Sequence, residues 1–138
     1  EAGGGAPAAR VAELQLERDT AQASLRASEA QCERLKLVFK NKISEFRTAV
    51  AELSGYRIDM VGTRYTLHPV YARQKGDTLV FESAEDGALQ LLATPLCEQL
   101  GDLMRRYLTE GGSIPAFLSA ATLELFDERA REREGRLA

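Results

Sequence analysis

The chain has 138 residues and a formal net charge of −3, with 28% charged and 44% hydrophobic side chains. This composition is typical of one small globular domain with an extension and excludes a disordered chain. The acidic balance disfavours nucleic acid as a partner, and no apolar run reaches the ~18 residues of a membrane span, so we expect neither nucleic acid nor membrane binding.

The first half of the chain predicts a long helix. Because the sequence begins at Glu1 rather than Met, we expect a fragment of a longer protein, with a flexible glycine-rich segment over residues 1–7. From Ala8 to Leu53 there is neither Gly nor Pro, and good helix formers dominate. We therefore predict one helix over residues 8–54, ended by Gly55 as a C-terminal cap.

The apolar residues of this helix follow a heptad pattern typical of a coiled coil. The predicted seam is Val11, Leu14, Leu25, Cys32, Leu35, Phe39 and Phe46. Charged Arg18 and Lys42 interrupt it. A helix of about 46 residues would extend for ~70 Å, too far to bury its seam on a small head. We therefore predict a coiled-coil stalk in a parallel homodimer.

After Gly55 the apolar period changes to two, which indicates strands. Four short strands are predicted at residues 56–60, 65–71, 78–82 and 88–92, with turns at Gly62 and Gly87. Pro69 suggests that the second strand is an edge strand or contains a bulge. Short successive strands of this kind favour an antiparallel meander.

Helical spacing returns at Thr94, a good N-cap that precedes Pro95. One helix is predicted from there to Gly111, and a second begins after Ser113. Residues 127–138 form a charged tail that we expect to fray. The predicted fold class is α+β, with a head over residues 55–126 whose C-terminal helices cover one face of the sheet.

Residues with catalytic chemistry are sparse. His68 is the only histidine, and Cys32 and Cys97 are the only cysteines, which we expect to be reduced and buried. No residue is assigned a catalytic or metal-binding role, and no cofactor or small-molecule substrate is expected. His68-Pro69 with Cys97 downstream faintly resembles ubiquitin-conjugating folds, but Val70 stands where that family has Asn. The non-catalytic RWD relatives of that fold are the better comparison.

The strongest charge asymmetry lies at residues 33–47, where five basic side chains face two acidic ones. In the predicted heptad, Leu35 lies in the seam, and Arg34 and Lys36 flank it on the surface. Paired cations on a rigid helix suit a phosphorylated peptide. From the residues alone, the simpler interpretation is a solvated coiled-coil face, and a purely structural dimer anchor is the alternative function.

Several longer motifs favour the phosphopeptide site over a merely solvated face. They are R-L-K at residues 34–36, F-x-x-K-I-x-E-F-R at 39–47, G-Y-x-I-D at 55–59, G-D-T-L-V-F at 76–81, Q-L-L-x-T at 90–94 and S-I-P-A-F-L-S-x-x-T-L-E-L-F at 113–126. In order and spacing they resemble the C-terminal domain of one family of mitotic-arrest-deficient spindle-checkpoint proteins, the family with a long coiled coil.

The resemblance implies a homodimer with a coiled-coil stalk and RWD-like heads, located in the nucleus and at kinetochores in mitosis. It implies that Arg34, Leu35, Lys36 and Lys40 bind a threonine-phosphorylated segment of the BUB-family checkpoint kinase, and it names the anaphase-promoting-complex activator as a further candidate partner. The motif through which the family binds its HORMA-domain inhibitor is not in this sequence. The tail departs from the vertebrate members, because residues 127–138 contain no Ser, Thr or Tyr.

Overall fold

The computed structural model describes residues 5–137 and divides into two compact units between Ser44 and Glu45. The first helix, α1, spans Gly5–Ser54, so it begins three residues before the predicted Ala8. Residues 5–7 of the segment expected to be flexible are helical, and residues 1–4 lie outside the described part. No residue of α1 is buried.

Gly55 ends α1, as predicted. Its φ is 85°, in the left-handed region that favours glycine, and its amide donates a 2.9 Å hydrogen bond to the carbonyl of Ala51. A Cβ at Gly55 would lie 2.9 Å from Cγ2 of Thr122 on the last helix. The close approach of two distant segments therefore also requires glycine here.

Four strands follow, β1 (Tyr56–Val61), β2 (Arg64–Pro69), β3 (Leu79–Ser83) and β4 (Leu89–Leu92). They form one antiparallel sheet in the order β1-β2-β3-β4, which confirms the predicted meander. Pro69 does not mark an edge strand, because β2 pairs on both sides. It is the last residue of β2, opposite Tyr56, and the β3 ladder has already ended at Leu67. Its missing N–H therefore breaks no interstrand bond to β3.

The two faces of the sheet differ in chemistry. Tyr56 and Leu67 are buried on one face, where the helices pack. Met60 shares that face but is 65% exposed, so the predicted alternation ends before the strand does. The other face carries Arg57, Asp59, Thr66 and His68. An antiparallel sheet with one packed and one polar face is common in α+β domains.

The helix predicted from Pro95 to Gly111 is interrupted. It consists of α2 (Pro95–Gln99), α3 (Gly101–Leu103) and a π-helical segment, Met104–Glu110. Leu100 leaves helical geometry at φ −102° and ψ 16°, and Gly101 follows it. Leu100 is nevertheless a core residue, 2% exposed. Helical spacing in the sequence could not show this break, because the apolar period continues through it.

The caps of these helices behave differently. Thr94 is the N-cap of α2 by position, but its hydroxyl donates instead to the Thr78 carbonyl, at 2.8 Å. Ser113 caps the final helix as predicted, since its Oγ accepts a 3.2 Å bond from the amide of Ala116. The Thr94 side chain therefore joins the loop before β3 to the start of α2.

The final helix, α4 (Ile114–Leu137), continues through the tail that was expected to fray. Two contacts explain the difference. Glu132 forms a 2.7 Å ion pair with Arg73 in the β2–β3 loop, and Arg129 donates to the carbonyl of Val70. Contacts to a distant loop thus stabilise a segment whose own sequence predicts only fraying.

The core lies between the sheet and the helices α2 to α4. Its buried members are Tyr56, Leu67, Leu79, Phe81, Leu96, Cys97, Leu100, Phe117, Ala121 and Leu125. The predicted α+β class, with C-terminal helices on one face of a four-stranded sheet, is confirmed. Across residues 5–137, no helix is long and apolar enough to cross a membrane.

Candidate partner-binding interface

The predicted phosphopeptide-binding residues all lie on α1 and are exposed. Lys36 and Lys40 are four residues apart, so they share one side of the helix. Arg34 lies on the opposite flank of Leu35, because successive side chains rotate by about 100° around the axis. The structure thus places cations on both flanks of Leu35, on a rigid element.

These cations are weakly engaged within the chain. Arg34 and Lys40 make no ion pair or hydrogen bond with any residue that the structure describes. Lys36 pairs with Glu33 at 3.3 Å, and each side chain is 74% exposed. An exposed pair of this kind contributes only about 0.2–1 kcal/mol, so an incoming phosphate can displace Glu33.

The predicted seam is uncovered in the single chain. Its aliphatic and aromatic members are between 47% and 69% exposed in the single chain. Cys32 is exposed as well, which corrects the expectation that both cysteines are buried. The expectation for Cys32 depends on a second helix, since a seam position is covered only by its partner.

Two exposed apolar residues next to the R-L-K motif escaped the sequence reasoning. Leu37 and Val38 are 59% and 54% exposed. Leu37 lies on the side of α1 opposite Leu35, and Val38 lies three residues after Leu35, beside the seam. They occupy heptad positions f and g, which are usually polar in a two-stranded coiled coil. Apolar residues at those positions were the available signal, and they can provide apolar contact beside the cations.

His68 lies in a small charged cluster on the polar face of the sheet. The Asp59 carboxylate accepts a hydrogen bond from Arg47 near the end of α1 and lies 2.9 Å from Nε2 of His68. Burial of the ring, with the charges of Arg57 and Arg47, lowers the pKa of His68 below 6.5. Asp59 alone would raise that pKa, but Arg47 neutralises much of its charge. The neutral ring therefore donates its Nε2–H to Asp59, which is a structural role.

Cys97 is 7% exposed, in the first turns of α2. Its Sγ lies 3.3 Å from the Thr94 hydroxyl and 3.6 Å from the Leu92 carbonyl. A thiol enclosed in this way is a core side chain, unlike the accessible nucleophile of a ubiquitin-conjugating enzyme. Within residues 5–137, no three His, Cys, Asp or Glu side chains are grouped to hold a metal ion.

The known proteins to which this chain is similar are mitotic checkpoint proteins. A family model for mitotic checkpoint proteins matches residues 12–130. The human mitotic spindle assembly checkpoint protein MAD1 is 39% identical over 137 residues, which cover 94% of this chain. The Arabidopsis thaliana mitotic spindle checkpoint protein MAD1 is 37% identical over 109 residues, 70% of this chain. The spindle assembly checkpoint component mad1 of Schizosaccharomyces pombe is 34% identical over 101 residues, 72% of this chain.

The shared region is a small part of these relatives. It covers 19% of the human protein, 15% of the Arabidopsis thaliana protein and 14% of the Schizosaccharomyces pombe protein. Within this chain, however, the family match includes nearly all of α1, the whole sheet and most of α4. The chain therefore belongs to the MAD1 family of mitotic checkpoint proteins.

Proposed function

We propose that this chain is a homodimeric scaffold of the spindle assembly checkpoint that binds a threonine-phosphorylated segment of the BUB-family checkpoint kinase. The phosphate binds to Arg34 and Lys36, with Lys40 supplying a further positive charge. Leu35 holds the two helices together at that level. The chain acts by binding and carries out no reaction.

The observation that supports this proposal most is the combination of an uncovered apolar seam with cations beside it. Fully burying one large aliphatic or aromatic side chain contributes about 1.5–3 kcal/mol, and α1 leaves its entire seam exposed. In a second copy in parallel register, each seam residue would pack against the same residue of the partner helix. It would also repeat Arg34 and Lys36 on the other flank, so that a dimer offers two equivalent phosphate sites.

Arginine suits this role because its guanidinium binds a phosphate through two parallel hydrogen bonds. The exposed Leu37 and Val38 lie next to the cations and provide apolar contact for side chains of the peptide. The family assignment supports a location in the nucleus and at kinetochores during mitosis. It also makes the anaphase-promoting-complex activator a candidate partner of the head.

The direct test is binding of a labelled kinase peptide, with and without phosphate on its threonine, measured by fluorescence anisotropy at physiological salt. Sedimentation of the same samples reports the oligomeric state. We expect a dimer that binds the phosphopeptide at least about tenfold more tightly than the unmodified peptide, because the phosphate adds nearly two negative charges. Equal affinity for the two peptides would leave only the dimer-anchor function.

Charge reversal at single positions locates the site. Arg34→Glu should abolish phosphopeptide binding and leave the sedimentation of the dimer unchanged, because Arg34 has no partner among the residues described. Arg26→Glu is the matched control, since Arg26 is an exposed arginine on the same helix outside the cationic stretch at residues 33–47. If the two variants bind the phosphopeptide equally well, the R-L-K motif is not the binding site.

A further inference from the structure

A second cationic site lies in the head, between the β2–β3 loop and the C-terminal half of α4. It is a cleft of about 290 Å³. Tyr71 and Arg73 line it from the loop, and Arg129, Arg133 and Arg136 line it from the helix. The helical residues recur every three or four positions, so they share one side of α4. The cleft is therefore a product of the helical tail, which places these arginines in one row.

Part of this cleft is held in place by contacts within the head. Arg73 is fixed by its ion pair with Glu132, at 2.7 Å. Arg129 donates to the Val70 carbonyl, and its guanidinium lies 6.0 Å from the centre of the Tyr71 ring. These contacts join the β2–β3 loop to α4 and so form the walls of the cleft within the head.

The two remaining arginines are uncommitted. Arg133 and Arg136 are exposed and make no ion pair or hydrogen bond with any residue between 5 and 137. The lining has four arginines and two glutamates, Glu128 and Glu132, and so carries a net charge of +2. A phosphorylated side chain carries about −1.5 to −2 at neutral pH, which nearly balances that charge.

We propose that this cleft binds a phosphorylated side chain of a partner peptide, with the phosphate held by Arg133 and Arg136. The site is separate from the R-L-K motif and does not depend on the function proposed for it. Each arginine can donate two parallel hydrogen bonds from its guanidinium to the phosphate oxygens, and the Tyr71 ring forms an aromatic wall beside them. The volume of about 290 Å³ accommodates one phosphorylated side chain.

A peptide fits this cleft better than a nucleic acid does. A nucleic-acid strand presents a phosphate at every nucleotide and would bring several of them against Glu128 and Glu132. A peptide carries a single phosphate, which Arg133 and Arg136 can hold while the Glu132 carboxylate is paired with Arg73. The net acidic charge of the chain also opposes a polyanion.

The test uses the full chain with Arg34→Glu and Lys36→Glu, so that the helix site cannot contribute. The probe is a fluorescent degenerate peptide pool with a fixed central phosphothreonine, compared with the same pool lacking phosphate. Amide NMR spectra report whether Ala72 and Arg133 shift on binding. We expect both to shift, and the phosphorylated pool to bind at least about tenfold more tightly than the unmodified pool.

Matched charge reversals on α4 decide the location. Arg133→Glu should weaken binding of the phosphorylated pool at least about tenfold. Arg133→Gln should weaken this binding less, because the substitution removes a positive charge without adding repulsion. Arg131→Glu is the control: Arg131 is an exposed arginine on α4 outside the cleft. Thermal melting by circular dichroism checks that the variants fold. Equal binding by Arg133→Glu and Arg131→Glu would overturn the proposal.

Two further ligands test whether the cleft prefers an anion other than a phosphopeptide. Inorganic phosphate that binds as tightly as the peptide pool would show a simple anion site and overturn peptide recognition. Single-stranded RNA that displaces the pool and loses affinity with Arg133→Glu would assign the cleft to nucleic acid. Weak binding of both supports the phosphopeptide.

Discussion

The hydroxyl of Tyr56 in β1 donates a 2.6 Å hydrogen bond to the carbonyl oxygen of Leu118 in α4. The same carbonyl accepts a second bond, at 2.8 Å, from the hydroxyl of Thr122. Tyr56 is 2% exposed, so this bond joins the first strand to the last helix inside the core.

Tyr56→Phe should lower the free energy of unfolding by about 0.5–1.5 kcal/mol, since it removes this bond but leaves Thr122 on the carbonyl. Urea denaturation at a fixed protein concentration measures the loss. Tyr65→Phe is the control, because the Tyr65 hydroxyl has no hydrogen-bond partner among the residues described. Equal losses in the two variants would show that the bond contributes nothing.

The same tyrosine should make stability depend on alkaline pH. Burial raises the pKa of Tyr56 above 10.0, and the Thr122 hydroxyl only partly offsets this. The folded state therefore holds the phenol proton more tightly than the unfolded state. This contribution is complete below pH 10.0 and is lost as the pH rises through the higher folded-state pKa. In Tyr56→Phe, unfolding measured over the same pH range should lack this component.

Gly55 and Gly62 form a matched pair for testing the helix end. Both have positive φ, 85° and 61°. A Cβ added at Gly55 would lie 2.9 Å from Cγ2 of Thr122, whereas a Cβ added at Gly62 would have no other atom within 4 Å. Gly62→Ala should cost about 1–2 kcal/mol through backbone strain alone. Gly55→Ala should cost about 1–3 kcal/mol more, because the methyl group overpacks against Thr122.

A double-mutant cycle with Thr122→Ala isolates the steric part of that cost. The methyl group that Gly55→Ala introduces should be tolerated better when the Thr122 side chain is shortened. The two substitutions together should therefore cost less than the sum of the single ones. Simple additivity would mean that the backbone moves away and the contact has no energetic consequence.

His68 offers an unambiguous titration, because it is the only histidine in the chain. Its ring signals in NMR should report a pKa below 6.5, owing to burial and the charges of Arg57 and Arg47. The neutral ring then contributes stability above pH 6.5 that is lost as the pH falls through the lower folded-state pKa. Arg57→Gln should move the pKa upward. A pKa above 6.5 in the unmodified chain would show that Asp59 outweighs the arginines.

Cys32 tests the proposed orientation of the dimer. In a parallel, in-register coiled coil its two copies face each other at one seam position, within reach of a disulfide. Mild oxidation should produce a covalent dimer on non-reducing gels. Cys32→Ser should abolish it, and Cys97→Ser should not, because Cys97 is buried in the head. A dimer in solution that does not cross-link would indicate an antiparallel or staggered pair.

Most of the backbone plan was predictable from local patterns. The heptad spacing predicted α1, alternation predicted the sheet, and Gly55, Gly62 and Gly87 all have the positive φ that their turns require. For the candidate interface, charge counting identified Arg34 and Lys36. It missed Leu37 and Val38, because these residues are uncharged and lie outside the seam, at positions f and g.

The sequence by itself determined which elements form and which faces are apolar, because these depend on residues within about four positions of one another. Only the tertiary structure decided how distant residues are used. It assigned the Thr94 hydroxyl to the Thr78 carbonyl, and it joined Asp59 to both Arg47 and His68. It also continued α4 through the charged tail, where Glu132 pairs with Arg73 and Arg129 donates to the Val70 carbonyl. The physical reason is that such contacts form only once packing has brought separate segments together, and no local pattern records them.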